Sequence, residues 1–467
     1  MRYPDNRLVI VVRADPVICG HSGEARNLAE VALDRGFDDV RLLTWPIATL
    51  QAAGLPLKPL DRLQPYSHGI TVERPGAVGD YRVPDGRHLA GLTGRLVELL
   101  AEPVPTTCLS MYLAPHANVV IDAVTAARAA GFAPDVHTIA KAVGSDITNV
   151  IQSCLREGRF GAAAVTMTTY LAHDEVTAVS EYTRDEIVLA AETIDLHCGT
   201  RFERACRTRV TVSYPPIDTG AYLDLDPAAV DAALARRGLS RDGYVLFLSR
   251  VTRAKGIHDL VRAYAASRAR DHVKLVVAGN GPALPEVREL AARELAGGLV
   301  GGRTGELAGG ELAGGLGSPD DRVVFLTDVD DDEKPLLMRG CATYALPTKP
   351  EPDFVETFGI ALAEKLLAGG GPVITTITGG TGEAVGDTAV IVEAGNVTAL
   401  TAALDRAVLE MSEHERRSLE RRGREHALAF DRVRVFDDLF RPGMRPLGRT
   451  ATVTPLRLPE EQAAQPM

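Results

Sequence analysis

Pro352-Asp-Phe-Val-Glu-Thr-Phe-Gly-Ile-Ala-Leu-Ala-Glu-Lys-Leu-Leu-Ala-Gly-Gly-Gly-Pro372, followed at once by Val373-Ile-Thr-Thr-Ile-Thr-Gly-Gly380, is the stretch from which the fold can be read. A loop ends near Gly359. Ile360, Leu362, Ala363, Leu366 and Leu367 then share one face of a helix, glycines stop it, and Pro372 leads into a short β-branched strand. Glu356 and Glu364 flank the loop-to-helix junction. In a continuous helix their spacing is ~12 Å along the axis, too far to share one small group. Between them the free amides of Phe358, Gly359 and Ile360 leave a helix N-terminus, which favours phosphate. Carboxylate, anion hole and second carboxylate in line match sugar hydroxyls, a diphosphate and ribose hydroxyls, the outline of a nucleotide-sugar. Taken alone, the pair is read more simply as two exposed glutamates on an ordinary βα unit.

At 467 residues the chain has room for two α/β domains. Apolar content of 45% and charged content of 24% are those of a soluble globular protein. A net charge of −11 argues against nucleic acid or an anionic membrane as main partner, while leaving room for a local basic phosphate site. The cysteines Cys19, Cys108, Cys154, Cys198, Cys206 and Cys341 are scattered, without zinc spacing, and read as buried free thiols in a reducing compartment. With no signal-peptide pattern ahead of Leu8 and no apolar run of membrane length, the expectation is a cytoplasmic protein without membrane insertion.

The rest of the chain alternates in the same way. Leu8–Val12 is a continuous apolar run, a buried parallel strand, followed by Cys19-Gly-His-Ser-Gly23 and a helix ended by Gly36. Residues 50–85 read as loops with a short strand that could cover a cleft. Thr106–Leu113 is a strand running into Ala114-Pro-His116. Asp135-Val-His-Thr-Ile-Ala140 reads as a strand whose end carries His137. Ligands of open α/β sheets sit outside the carboxyl ends of the strands, so Tyr112, His116 and His137 are expected at a cleft, with His116 equally readable as a helix-start surface residue. In the second half, Tyr244–Ser249 is a buried strand ending in Arg250 and Lys255, a cationic clamp for a diphosphate or simply two surface cations. Glu-Leu-Ala-Gly-Gly, repeated at 294, 306 and 311, is too glycine-rich for a stable helix and reads as a mobile loop. Asp328-Val-Asp330 reads as an acidic turn rather than a metal site. Residues 443–467 read as a flexible tail.

Glu-x-Phe-Gly-Ile-x-Leu-x-Glu, then Gly-x-Pro-Val-Ile, then Thr-Gly-Gly, closely resembles the donor-binding segment of the family 4 retaining glycosyltransferases. Those enzymes have the GT-B fold, two facing Rossmann-like α/β domains with the active site in the interdomain cleft. The resemblance is dense over 240–430 and thinner but ordered over 8–218. It implies an N-terminal acceptor-side domain over 1–218, a donor domain over 219–430, and a helix at about 431–442 crossing back. It further implies that Arg250 and Lys255 hold the diphosphate with the amides at Phe358, Gly359 and Ile360, that Glu364 holds the ribose, and that Glu356 holds the sugar. His137-Thr-Ile-Ala resembles the segment bearing the family's cleft histidine, Gly20 and Gly23 its Gly-rich loop, and backbone near Asp328 and Val329 its base contact. Tyr112, His116, Thr138 and Lys141 are candidates for the acceptor side.

The chain departs from the pattern in several places. Thr357 stands where proline is usual, Leu109-Ser-Met-Tyr112 keeps the tyrosine of His-x-His-Tyr and loses both histidines, and Lys141 comes early, with Val143 near the usual lysine position. Ser249 and Pro216 replace glycines. The implied reaction is retaining, metal-independent transfer from a UDP- or GDP-sugar, with no permanently bound cofactor, to a small soluble acceptor. That acceptor could be a specialised metabolite attacking through oxygen or sulfur. A nucleotide-sugar epimerase on the same fold and a catalytically inactive sugar-nucleotide-binding module remain as alternatives, and a homodimer is possible.

Overall fold

The computed structural model describes residues 6–79, 86–296, 322–352 and 354–440. The glycine-rich repeat beyond Ala296 and the tail expected over 443–467 fall outside them.

Two parallel sheets organise the chain. The first contains β1 (Arg7–Val11), β2 (Asp39–Leu43), β3 (Ile70–Glu73), β4 (Thr106–Met111), β5 (Val136–Ala142), β6 (Glu175–Ala178) and β7 (Val210–Val212), in the order β3-β2-β1-β4-β5-β6-β7. The second contains β8 (Tyr244–Leu248), β9 (Lys274–Ala278), β10 (Val323–Leu326), β11 (Thr343–Leu346), β12 (Val373–Thr375) and β13 (Val390–Ile391), in the order β10-β9-β8-β11-β12-β13. Continuous apolar strands such as Leu8–Val11 and Val245–Phe247 are fully buried because helices cover both faces of each sheet. In both sheets the order reverses beside the first strand, at β1/β4 and at β8/β11. Doubly wound sheets bind ligands outside the carboxyl ends of the strands at such a reversal.

The two reversals face one another. A Cβ at Gly20, after β1, would come within 3.0 Å of Ile360 Cδ1, after β11. Gly144, after β5, has φ +114° and lies so close to Thr357 that a Cβ there would stand 2.1 Å from its Oγ1. From the 50–79 segment, Lys58 Nζ reaches Asp331 at 2.7 Å and Gln64 reaches Asp332 at 2.9 Å, so this stretch bridges the domains at one end of the cleft. On another side, the first-turn amides of Glu181 and Tyr182 donate to Glu383 at 2.8 and 2.9 Å.

The helix Arg432–Leu439 returns to the first domain. Asp431 accepts from the amides of Val433 and Arg434, Phe436 and Phe440 pack edge-on to Phe37 at 6.3 Å, and Asp437 pairs with Arg35 at 2.6 Å. Among the described residues no helix is long and apolar enough to cross a membrane. All six cysteines are free, but the expectation of buried thiols holds only for Cys108, Cys206 and Cys341. Cys198 is exposed at the end of its helix.

Candidate functional site

On the second domain, the turn after β8 brings Arg250 and Lys255 to the cleft. Gly256 follows with φ +70° because its α-carbon passes so near Pro347 that a Cβ would meet that carbonyl oxygen at 1.8 Å. This close approach seats Lys255 against the β11 loop. There its ammonium forms an ion pair with Glu356, both groups being largely buried. The ring of Phe354 lies 5.3 Å from Lys255 Nζ and 5.9 Å from Arg250 Cζ, so both cations face the same wall.

The helix Ile360–Ala368 starts immediately beyond. Gly359 takes φ 96° to turn the chain into it, and no side chain caps its N-terminus. The Phe358 ring is buried against Tyr214 and Phe430, at 5.6 and 4.9 Å, which anchors the turn from behind. One turn into the helix, Glu364 pairs with Lys334 at 2.7 Å and has the Tyr222 hydroxyl beside it. The uncapped helix end therefore lies between two carboxylates, each already held by a lysine. Such an arrangement can take an anion at the centre and hydroxyl groups on either side.

Val329 packs against the core of this domain, and the carboxylates beside it have structural partners. Asp328 is bound by Arg237 at 3.0 Å, and Asp330 accepts from the Glu333 amide at 2.8 Å.

On the first domain, Gly20 meets the seam described above, while Gly23 is exposed and a side chain there would touch nothing. Tyr112 directly follows β4 with φ 95°, its ring 5.9 Å from His21 and 6.3 Å from His116. His116 is buried. Trp45 Nε1 donates to its Nε2 at 3.1 Å, which leaves Nδ1 to donate to the Met111 carbonyl at 2.7 Å. Burial lowers its pKa to about 4, and lowers that of His21 to about 3 with help from Arg13, so both rings are neutral.

Three expectations need correction, for His137, Thr138 and Lys141. His137 is the second residue of β5, not its end, and so lies at the amino edge of the sheet, roughly 15 Å along the strand from the cleft. It bonds Glu175 at 2.8 Å there. Thr138 beside it exchanges hydrogen bonds with Asp174. Lys141 is at the cleft end but fully buried, paired with Glu24 at 3.0 Å and donating to the Tyr214 carbonyl at 3.1 Å, so it offers nothing to an acceptor. His116 is not a surface residue but is buried just beyond β4, where it lines a pocket with Trp45 and Tyr112. The residue at the cleft end of β5 is Lys141, which in the sequence looks like the polar residue that stops an apolar run. Its charge is neutralised by Glu24 from the neighbouring helix, and β5 runs on to Ala142.

Arg13, His21, Lys334, Tyr222 and Asp146 were not singled out. Arg13 and His21 had a signal, since they follow directly on a buried parallel strand. Lys334 and Tyr222 reach Glu364 from distant helix and loop positions, and no local pattern marks them. Asp146 is fully buried and accepts from the amides of Leu113, Val143, Gly144 and Ile147, tying the ends of β4 and β5 together. Burial raises its pKa to about 6 against those hydrogen bonds.

Residues 242–410 match the family described as Glycosyl transferases group 1. No curated protein sequence matches the chain. Among solved structures it is similar to Anabaena Alr3699/HepE in complex with UDP and glucose, with a TM-score of 0.64 and 18% identity over 93% of this chain and 98% of that one. It is similar also to the α,α-trehalose-phosphate synthase (UDP-forming) from Burkholderia xenovorans in complex with glucose-6-phosphate, with a TM-score of 0.64 and 14% identity over 93% and 99%. A glycosyltransferase from Rickettsia africae aligns with a TM-score of 0.62 and 13% identity over 94% and 97%. Identities this low speak for the fold. The chain has the GT-B architecture, and its second sheet and the helices around it, within residues 242–410, are similar in sequence to the group 1 glycosyl transferases.

Proposed function

We propose that this protein is a nucleotide-sugar-dependent glycosyltransferase that retains anomeric configuration, with the donor on the second domain and a small acceptor on the first. The observation that carries the reading is the line of Lys255–Glu356, uncapped helix start at Gly359 and Glu364–Lys334 at the β8/β11 reversal. Arg250, Lys255 and the amides of Phe358, Gly359 and Ile360 take the diphosphate, Glu364 the ribose and Glu356 the sugar. As the sugar–phosphate bond breaks, charge grows on the leaving diphosphate, and a fixed helix end with two cations stabilises it most at that point. Those cations supply the charge that a divalent metal would otherwise bring, so the transfer needs none. The similarity to group 1 glycosyl transferases, and the UDP held by a structural neighbour, support UDP as the first nucleotide to try.

Thermal-shift and calorimetric titration with UDP, GDP, ADP and TDP tests the donor site, since a ligand specific for the native state stabilises it by mass action. Binding of at least one nucleoside diphosphate is the expected result, and the matching nucleotide-sugar, given an acceptor, should then release that diphosphate and a glycoside with the donor's anomeric configuration. Absence of nucleotide binding overturns the reading, and an epimerised sugar without a glycoside replaces it with epimerisation.

A further inference from the structure

The β1/β4 reversal holds a cavity of about 250 Å³ whose lining includes Arg13, Trp45, Leu50, Ala53, Tyr112 and His116. Its walls come from the three segments that leave the carboxyl ends of β1, β2 and β4, closed by the 54–58 strap. The amide of Ile18 donates to Pro56 and that of Lys58 to Pro16, at 2.9 and 2.8 Å, which fixes the strap in place.

The chemistry of the lining restricts what can enter. Trp45, Tyr112 and His116 present rings, and Leu50, Leu55 and Pro115 present aliphatic surface. His116 has no hydrogen bond left to offer, because Trp45 occupies its Nε2 and Met111 its Nδ1 proton. A polyhydroxylated acceptor would lose water from several hydroxyls and find few partners, a cost of roughly 1–3 kcal/mol for each one left unmade. An aromatic ring has no such groups and gains from stacking on rings. The cavity is also smaller than the roughly 300–1,000 Å³ usual for drug-sized ligands, which suits a single ring with one or two substituents.

Arg13 is the one charged residue in the lining. It is half-buried, its guanidinium lies 5.1 Å from the Tyr112 ring, and among the described residues no carboxylate pairs with it. A partly desolvated guanidinium at the mouth of an apolar cavity is a natural seat for an anion. His21 lies beside this wall, its ring 5.9 Å from that of Tyr112, and follows Gly20, which meets Ile360 at the seam, so the cavity lies next to the donor side.

We propose that this cavity is the acceptor site and that the acceptor is a compact aromatic compound carrying a carboxylate or similar anion, its ring between Trp45 and Leu50 and its anionic group on Arg13. The word acceptor rests on the glycosyl-transfer reading above, whereas the binding chemistry stands on the cavity.

Trp45 is the chain's sole tryptophan, so its fluorescence reports the site directly. The full chain is titrated with para-hydroxybenzoate, its neutral methyl ester and glucose 6-phosphate, with and without UDP. Saturable quenching by the acid, at least about tenfold tighter than by the ester, is expected. Arg13→Gln abolishes that preference, Arg13→Lys retains most of it, and Ala53→Phe blocks quenching while UDP binding is unchanged. Equal affinity for acid and ester, unaltered preference in Arg13→Gln, or tighter binding of glucose 6-phosphate overturns the proposal. If the acid binds through Arg13 but no nucleotide-sugar yields a glycoside, the site stands and the transfer reading falls. If a glycoside forms on another acceptor and the acid never quenches Trp45, the reverse holds.

Discussion

Lys334 Nζ sits 2.7 Å from Glu364 Oε1, reaching it from 30 residues away along the chain, and the Tyr222 hydroxyl lies beside the same carboxylate. Glu364 is thereby fixed before any ligand arrives, with hydrogen-bonding capacity left for two ribose hydroxyls. Glu364→Ala removes charge-assisted bonds worth about 1.5–3 kcal/mol and should raise the UDP dissociation constant at least roughly tenfold. Lys334→Ala leaves the carboxylate in place and should weaken binding less. Calorimetry on both variants checks the order, and equal affinities in wild type and Glu364→Ala would remove the ribose assignment.

Lys255 is bound to Glu356, so a donor must share or exchange that ion pair as it enters. Lys255→Ala and Arg250→Ala should each lower kcat by about 10²–10³, the scale of losing one preorganised electrostatic partner. Arg250 is exposed, and its loss should shift Tm little. Lys255→Ala leaves Glu356 without its cation and should cost stability as well. Turnover at saturating donor, set beside thermal melts, separates the two effects.

His137 and His116 make opposite forecasts. His137→Ala, at the amino edge of β5, should leave turnover unchanged and cost only the contacts with Glu175 and Asp174. His116→Ala should impair acceptor-side kinetics by freeing Trp45. Steady-state assays of the two variants, side by side, decide which histidine belongs to the cleft.

Burial keeps His21 and His116 neutral, their pKa values falling from 6.5 to about 3 and about 4. Between those values and 6.5 the unfolded chain binds protons that the folded chain refuses. Stability is therefore full above pH 6.5 and is lost as pH falls towards 4. For His116 the loss at pH 5 is on the order of 2 kcal/mol. His116→Asn keeps a donor to the Met111 carbonyl and should flatten the fall in Tm over this window.

The alternation of apolar runs with glycine turns made both sheets legible, because a strand buried on two faces admits few polar residues. The glycine turn and helix of 359–368 were legible for a similar reason, with backbone requirements written into residue type. Charges balanced from afar were not. Lys141 reads as a strand end until Glu24 is seen beside it, and only with that pair does β5 run on to Ala142, leaving His137 and Thr138 at its amino edge. Lys334 and Tyr222 meet Glu364 only through the packing of separate segments. Which residues line the acceptor cavity depends on how the 54–58 strap folds back on the turn after β1, which no spacing in the sequence records.

Gly144 faces Thr357 across the seam at a distance that excludes any side chain, and its φ of +114° already belongs to glycine. Gly144→Ala should wedge the domains apart and reduce turnover at least tenfold, with an increased radius of gyration in small-angle scattering. A compact, active variant would show that the seam is not held closed during turnover.

The helix beginning at Glu181 has its first turn satisfied from two sources, Ser180 for the Thr183 amide and Glu383 of the opposite domain for those of Glu181 and Tyr182. Parting the domains hands the latter two amides to water while Thr183 keeps its partner. Deuterium uptake at Glu181 and Tyr182, measured against Thr183, thus becomes a clock for opening of the cleft. A nucleotide-sugar that clamps the domains together would be seen as a slowing of two neighbouring amides beside a third that keeps time.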